Sequence, residues 1–480
     1  MRVNMNRMMK KSVAIVLSLL LLLGSFSVGA SAAFTEQTWK TYYDEQMKNG
    51  YAVYMNPGAD ESQRNFSWYA PLGEKPGKVV ISENENFSLS RVFEAKYVLT
   101  AEGDRSDKVT VTGLKADTTY YYRCMLGNKI IRQASFVTDA KDAFTAVYMT
   151  DIHISREQDE MDEPLMKQSL MLNNVLEQAA DKAEYNLILS AGDQASYGDR
   201  KEYMSLVTSP VFSSVPISLA VGNHDRKGIA YKTFNNNPNK YQKGVSSLIG
   251  NDYYYVKGNV LFMVFDSNNK AAATHYNFVK QAIAANPNVK WKVGIMHHDL
   301  YGRLTSGRLE DSNENRRPVF IPIFDEFGFD LVLLGHSHYY SVSHALYNGE
   351  IATAMSKDGT VTNPKGTVYM VSNSINHPRD LAETASIIPD PGNAVAIQKD
   401  GAAYNLIDFT EDSISVRSYA MNEAEPFNTF TITKTTQRGG HPNNRKTPMQ
   451  ALTRMWYEFL ALWTEIGEGI GAIYKNYFEK

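Results

Sequence analysis

Five apolar runs in the middle of the chain each end in residues that bind metals or move protons. Phe144 to Met149 leads into Asp151-Ile152-His153, and Tyr185 to Leu189 into Gly192-Asp193. Val215 to Val221 is followed by Gly222-Asn223-His224-Asp225, Trp291 to Met296 by His297-His298, and Leu331 to Leu334 by Gly335-His336-Ser337-His338. Two aspartates, one asparagine and four or five histidines form a donor set of hard oxygens and borderline nitrogens without sulfur. Such a set suits two hydrolytic divalent or trivalent metal ions, of the Fe, Mn or Zn kind. The one cysteine, Cys124, can build neither an intramolecular disulfide nor a thiolate zinc site. Gly192, Gly222 and Gly335 let the backbone turn sharply and come close to a metal pocket.

These side chains are spread over nearly two hundred residues, so they meet only if the strands before them share one end. Near-continuous apolar strands alternate with segments of helical period, such as Leu165 to Ala183 and Tyr276 to Ala285. That alternation predicts a layered α/β domain with all five motifs at one carboxyl end of the sheet, where ligands of α/β folds are bound. Tyr253 to Val256 and Val260 to Phe265 read as a hairpin. From Phe34 to Ala140 the pattern is different. Short runs at Val79-Ile81, Lys96-Leu99, Val109-Val111 and Thr119-Tyr122 have the spacing of an all-β sandwich. Leu114-Lys115-Ala116-Asp117-Thr118-Thr119-Tyr120 resembles the tyrosine corner of fibronectin type III domains, with Tyr120 in a structural role.

The chain has 480 residues, too many for one ordinary domain, and 43% hydrophobic with 21% charged residues is the composition of a soluble globular protein. Arg2, Arg7, Lys10 and Lys11 precede the apolar run Val13 to Leu23, and Ala30-Ser31-Ala32 supplies a cleavage site, so residues 1–32 read as a secretory signal peptide and the product as secreted. Its removal takes four basic residues and no acidic ones, moving the formal charge from −3 to −7. A mildly acidic product has no general attraction to nucleic acid or anionic membranes, which argues against dedicated nucleic-acid binding. The expected division is 1–32 signal, 34–140 β-sandwich, 142–434 α/β domain and 438–480 linker and helix. In the last segment apolar residues from Leu452 to Tyr477 recur at three and four residue steps, an amphipathic helix. Its charges offset one another, so docking on the protein itself or on a second subunit is expected over membrane association.

The motifs D-x-H, G-D, G-N-H-D, a lone H after a strand and G-H-x-H, in that order, resemble those of the calcineurin-like metallophosphoesterases, from Phe144 to Lys434. The preceding β-region, with Val109-Thr110-Val111-Thr112-Gly113-Leu114, looks like the N-terminal domain of purple acid phosphatases, a branch of that superfamily. The resemblance implies a two-sheet α/β/β/α sandwich behind a fibronectin III-like sandwich. It also implies Asp151, His153, Asp193 and His338 around one metal, with Asp193 bridging to a second held by Asn223, His297 and His336. Purple acid phosphatases have a glycine where His153 stands, and a tyrosine ligand where this chain has Ser196. Tyr197 is one residue late, so His153 is expected in the tyrosine's place.

Two cations about 3.5 to 4 Å apart lower the pKa of water enough for hydroxide to exist near neutral pH, and they neutralise phosphoryl oxygens. His224, not a ligand in the family pattern, is placed to protonate the leaving alkoxide, with Asp225 as the residue that orients it or a structural carboxylate. Tyr301, Arg303, Arg308, Arg226 and His298 are the candidates for contacting substrate; His298 reads equally as a structural hydrogen bonder. His275, His377 and His441 read as surface or capped histidines. The function expected is a secreted phosphoester hydrolase, first of all a phosphomonoesterase of the acid phosphatase type. The alternatives are a phosphodiesterase acting on cyclic nucleotides, nucleic-acid ends or glycerophosphodiesters, and a non-catalytic cell-surface binding protein.

Overall fold

The computed structural model describes residues 34–139, 143–155, 163–244, 249–302, 311–378, 389–435 and 459. The expected signal segment, the linker after residue 437 and nearly all of the amphipathic segment lie outside them.

The first element was not expected. Residues Glu36–Asn49 form helix α1, started by a reciprocal cap between Thr35 and Thr38 and ended by Gly50 at φ 72°. Its Trp39 and Tyr43, one turn apart, are buried against the α/β body: Trp39 Nε1–H donates to Met166 O at 3.1 Å, and the Tyr43 hydroxyl lies 2.7 Å from Ser205 Oγ. The segment assigned to an all-β domain thus begins with a helix that belongs to the other core.

Strands β1 (Tyr54–Pro57), β2 (Arg64–Ala70), β3 (Lys78–Ser82), β4 (Arg91–Glu94), β5 (Lys96–Leu99), β6 (Arg105–Val111), β7 (Thr118–Leu126) and β8 (Lys129–Thr138) form the sandwich. Its sheets run β1-β2-β6-β5 and β4-β3-β7-β8. Every second residue of β7, from Tyr120 through Tyr122 and Cys124 to Leu126, faces Phe66, Trp68, Val109 and Val111 across the sandwich. The Lys115 N–H donates to the Tyr120 hydroxyl at 2.9 Å, tying the corner as its sequence suggests.

The α/β body starts with β9 (Phe144–Met149), α2 (Glu163–Lys182), β10 (Leu187–Ser190), α3 (Arg200–Leu206), β11 (Ile217–Leu219) and α4 (Ala230–Phe234). It continues with the hairpin β12 (Tyr253–Lys257) and β13 (Val260–Val264), then α5 (Ala272–Ala285), β14 (Trp291–Ile295), α6 (Arg317–Phe327) and β15 (Leu331–Leu334). Strands β16 (Tyr340–Ser343), β17 (Ala345–Tyr347), β18 (Glu350–Thr353), β19 (Thr360–Thr362), β20 (Val368–Val371), β21 (Asn393–Ile397), β22 (Ala403–Phe409), β23 (Ser413–Ala420) and β24 (Asn428–Thr433) complete it. One seven-stranded sheet is ordered β11-β10-β9-β22-β23-β24-β19, the other β12-β13-β14-β15-β20-β16-β21. Tyr148, Leu189, Ile407 and Val416 of the first pack on Phe262, Val293, Leu333 and Met370 of the second. Helix α2 covers one outer face, and α5 with α6 covers the other. The layers are α/β/β/α.

The five motif-bearing strands do not share one sheet, as the strand pattern alone predicts; they divide between the two sheets that the family resemblance implies. Strands β9, β10 and β11 are parallel in the first sheet, and β14 and β15 in the second. Face-to-face stacking brings the two sets of carboxyl ends together, and the Tyr148 hydroxyl donates across the interface to Leu334 O.

Candidate metal centre

Past the strand ends the chain takes up backbone conformations that ordinary residues avoid. Asp151, His153, Asp193, His336 and His338 all have φ between 49° and 75°. Each such residue costs on the order of 1–3 kcal/mol and persists only where its surroundings over-determine it. Here they do. Asp151 and His153 donate their N–H groups to Gly192 O and Asp193 O at 3.0 and 2.9 Å, while Ser374 Oγ and Asn376 Nδ2 donate to the carbonyls of Asp151 and Ile152. A Cβ on Gly222 would fall on Asp193 Oδ1, and one on Gly335 would lie 2.6 Å from Asp151 Oδ2. Both glycines therefore let a backbone lie against a ligand carboxylate.

The side chains so aimed form two adjoining groups. In one, Asp151, His153 and His338 bring donor atoms within 4.8 Å of one another; in the other, Asp193, His297 and His336 do so. Asp193 Oδ2 stands between them, 3.7 Å from His153 Nε2 and 3.2 Å from His297 Nε2. Its Oδ1 accepts the His224 N–H at 2.7 Å. Asn223 Oδ1 is 3.0 Å from His297 Nε2. His224 also falls within such a group, with His153 and Asp193.

The polar contacts show what belongs between them. His297 Nδ1–H donates to Ala191 O at 3.0 Å, and His338 Nδ1–H to His377 O at 2.8 Å, so both Nε2 atoms turn toward the cluster. There His338 Nε2 meets His153 Nε2 at 3.2 Å and Asp151 Oδ1 at 3.1 Å, while His297 Nε2 meets His336 Nδ1 at 3.2 Å. Asp151 Oδ2 is held by Thr150 Oγ1 and the His336 N–H, at 2.8 and 2.9 Å, whereas among the described residues none donates a hydrogen bond to the buried Oδ1. Lone pairs facing one another at these distances need positive charge between them, as protons or as metal cations. The residues present fit two metal ions with O and N ligands.

Ionisation is set accordingly. Burial opposes charge on Asp151, yet His338, His297 and His153 hold its carboxyl well below the usual carboxylate range. Burial likewise opposes charge on Asp193, but His297 draws it down to about 2. Burial pushes His153 down to about 3, against the pull of both aspartates. Carboxylates stay ionised and His153 neutral, the states a metal ligand requires.

Other expected residues stand elsewhere. Asp225 does not orient His224: its carboxylate accepts from Gly222 N–H, Ala195 N–H and the Tyr203 hydroxyl at 2.8, 3.1 and 2.7 Å, closing the turn behind Asp193. Burial, reinforced by Asp193, raises it to about 7. His298 is not a substrate contact, since Nδ1 lies 2.8 Å from Ser267 Oγ and Nε2 3.3 Å from Arg316 Nη2 in the interior. Tyr301 is 2% exposed, packed on Tyr369 with Arg317 over its ring, which removes it from the substrate list. Arg226 is exposed on the turn after His224, and Arg303, Arg308 and His441 lie outside the described residues. His275 is no surface residue: it is fully buried, its Nδ1 2.6 Å from Asp252 Oδ2. His377 is exposed, with its ring 5.1 Å from that of His153. Tyr197 turns outward, 38% exposed, and Ser196 Oγ lies 3.2 Å from His153 Nδ1. Sequence reasoning passed over Lys227, whose Nζ is 2.7 Å from His224 Nδ1, and Arg316 behind His298. Only for Lys227 was there a signal, its place three residues after His224.

Residues 144–340 match the family described as Calcineurin-like phosphoesterase, and 51–138 that described as Purple acid Phosphatase, N-terminal domain. The chain carries a calcineurin-like phosphoesterase domain. Purple acid phosphatase 23 of Arabidopsis thaliana is 22% identical over 316 residues, which are 58% of this chain and 66% of that protein, just short of two thirds of the relative. Among solved structures, a purple acid phosphatase from yellow lupin (Lupinus luteus) seeds superposes with a TM-score of 0.60 at 13% identity, over 80% of this chain and 74% of the other. PhoD superposes with a TM-score of 0.51 at 12% identity, over 87% of this chain and 98% of its own. The phosphoesterase domain here thus has the purple acid phosphatase fold. Among the described residues no helix is long and apolar enough to cross a membrane.

Proposed function

We propose that this protein is an exported phosphoester hydrolase of the acid phosphatase type, acting on phosphomonoesters with two metal ions of the Fe, Mn or Zn kind. One ion would be held by Asp151, His153, Asp193 and His338, the other by Asp193, Asn223, His297 and His336. The observation that carries this is the position of Asp193 Oδ2 between two converging donor groups. Bound there, such ions supply an activated water and neutralise phosphoryl oxygens. The chain's own part is to keep Asp193 ionised between the groups, to hold the imidazoles by their outer nitrogens, and to offer His224 as proton donor to the leaving oxygen. In this reading residues 1–32 are removed on export, 51–138 buttress the α/β body, and the apolar stripe after residue 449 docks on the protein or a second copy.

Rates on 4-nitrophenyl phosphate and bis(4-nitrophenyl) phosphate, after reconstitution with each metal, test it. The monoester is expected to be the better substrate by kcat/KM. A preference for the diester would move the assignment to phosphodiesterase, and a purified protein that binds no metal would leave only a binding role.

A further inference from the structure

The loop that follows Asp193 and the turn that follows Asn223 are locked together backbone to backbone. Ala230 N–H donates to Gly198 O at 3.3 Å; a Cβ on Gly198 would fall 2.2 Å from Asp225 O, and one on Gly228 would fall 2.1 Å from Gly198 O. The Tyr197 N–H is tied as well, to Glu202 Oε2 at 3.0 Å. These contacts fix a rim beside the metal centre, and exposed side chains stand on it: Tyr197 at 38%, Ile229 at 46%, Arg226 and Lys227. Lys227 joins the rim to the site. Its Nζ lies 2.7 Å from His224 Nδ1, donates to Ser196 O at 3.1 Å and stands 5.5 Å from the centre of the Tyr197 ring. An ammonium has three N–H donors, so one of them is left for a ligand. Among the described residues no carboxylate oxygen comes within 4.0 Å of either Arg226 or Lys227, although the chain as a whole is acidic.

We infer that this rim is the leaving-group subsite of the phosphoesterase, and that it selects phosphomonoesters whose leaving group combines a flat ring with a second negative charge; this rests on the hydrolysis proposed above. The reacting phosphoryl group belongs between the aspartates and histidines, so the rim touches only the part of the substrate that departs. His224 marks the side on which it departs, and Lys227 and Tyr197 are the next groups outward. The ring of the leaving group lies on the exposed face of Tyr197, with Ile229 on the neighbouring loop extending the apolar surface. Its second anion takes the remaining N–H of Lys227 and the Arg226 guanidinium, in charge-assisted hydrogen bonds. A small alkyl leaving group reaches neither.

The test measures kcat/KM of the full-length, metal-reconstituted protein on 4-carboxyphenyl phosphate, phenyl phosphate and methyl phosphate. The first is expected to exceed the second at least about fivefold at low salt, and the gap to narrow as ionic strength rises. Lys227→Met should reduce that ratio about fivefold, and Lys227→Arg, which keeps the charge, should restore it. Tyr197→Ser should lower both aryl phosphates relative to methyl phosphate by up to about tenfold, whereas Tyr197→Phe, which keeps the ring, should preserve the preference. An unchanged carboxyphenyl-to-phenyl ratio in Lys227→Met, or equal losses on aryl and methyl phosphates in Tyr197→Ser, would overturn the subsite while leaving the hydrolase standing. A protein that holds two metals yet hydrolyses none of the three compounds would overturn the phosphomonoesterase reading and the subsite with it.

Discussion

The β-sandwich and the metal end of the α/β body both hold ordinary residues in left-handed conformations, but for opposite purposes. Between β1 and β8 of the sandwich they are Phe87, Leu89 and Asp117, which reverse the chain at turns. Leu89 points into solvent, and Asp117 sits in a corner whose polar groups are met locally by Tyr120 and Thr138. At the metal end the five left-handed residues are the aspartates and histidines themselves, and the strain points their donors at one another. One region uses unfavourable backbone to close on itself. The other uses it to hold a charge deficit that only cations or protons relieve.

The contrast breaks most sharply at Asp193. In Asp193→Asn a neutral amide replaces the carboxylate between the two groups, and activity is expected to fall by several orders of magnitude, with less than two metals per chain by elemental analysis. Near-normal turnover with two metals bound would remove the bridging assignment. His224→Ala comes next: kcat down by roughly 10²- to 10⁴-fold with metal content unchanged. A collapse of metal content would instead make His224 a ligand, as its grouping with His153 and Asp193 allows.

How much of this could be read beforehand depends on the range of the interaction that decides it. Each motif follows an apolar strand, so the residues that gather at the carboxyl ends were visible from local pattern alone. Which sheet each strand joins was not, because β9 is placed by pairing with β22, about 260 residues away. Helix α1 failed to register for a related reason: Trp39 and Tyr43 are spaced for a helix face, but the surface they need belongs to another part of the chain. Asp225, His298 and Tyr301 have residue types common at active sites. What removes them from that role is backbone or interior partners, Gly222 N–H, Ser267 Oγ and Tyr369, which no spacing in the sequence announces. The tyrosine corner is local, five residues from donor to acceptor, and was legible in full.

A smaller effect sharpens the role of charge. In the metal-free protein burial lowers His297, but Asp193 outweighs it and holds the imidazole up at about 9. At neutral pH a metal must displace that proton, so apparent affinity for the second ion should fall about tenfold per pH unit below 9 in a titration. The sign for stability is the reverse. The imidazolium–carboxylate pair stabilises the metal-free fold fully below about pH 6.5, the unfolded histidine's range, and is lost as pH rises through 9. Metal affinity independent of pH between 6 and 9 would show that His297 is not where the proton leaves.

The smallest effect is expected in the sandwich. Tyr120→Phe removes the oxygen that accepts the Lys115 N–H and leaves the aromatic packing on Phe136 in place. One neutral hydrogen bond is worth about 1 kcal/mol, so denaturant melts should show a loss of that order. Metal content and kcat should stay at wild-type values, because the corner satisfies its own polar groups and aims nothing at the α/β body. Contact between the two regions is made elsewhere, through Tyr54 to Phe234 O and Asn65 to Asn236 O. A Tyr120→Phe protein that lost metal would mean that the corner's rigidity is transmitted through those contacts to the turn carrying His224 and Lys227, and the two regions would then have to be treated as one.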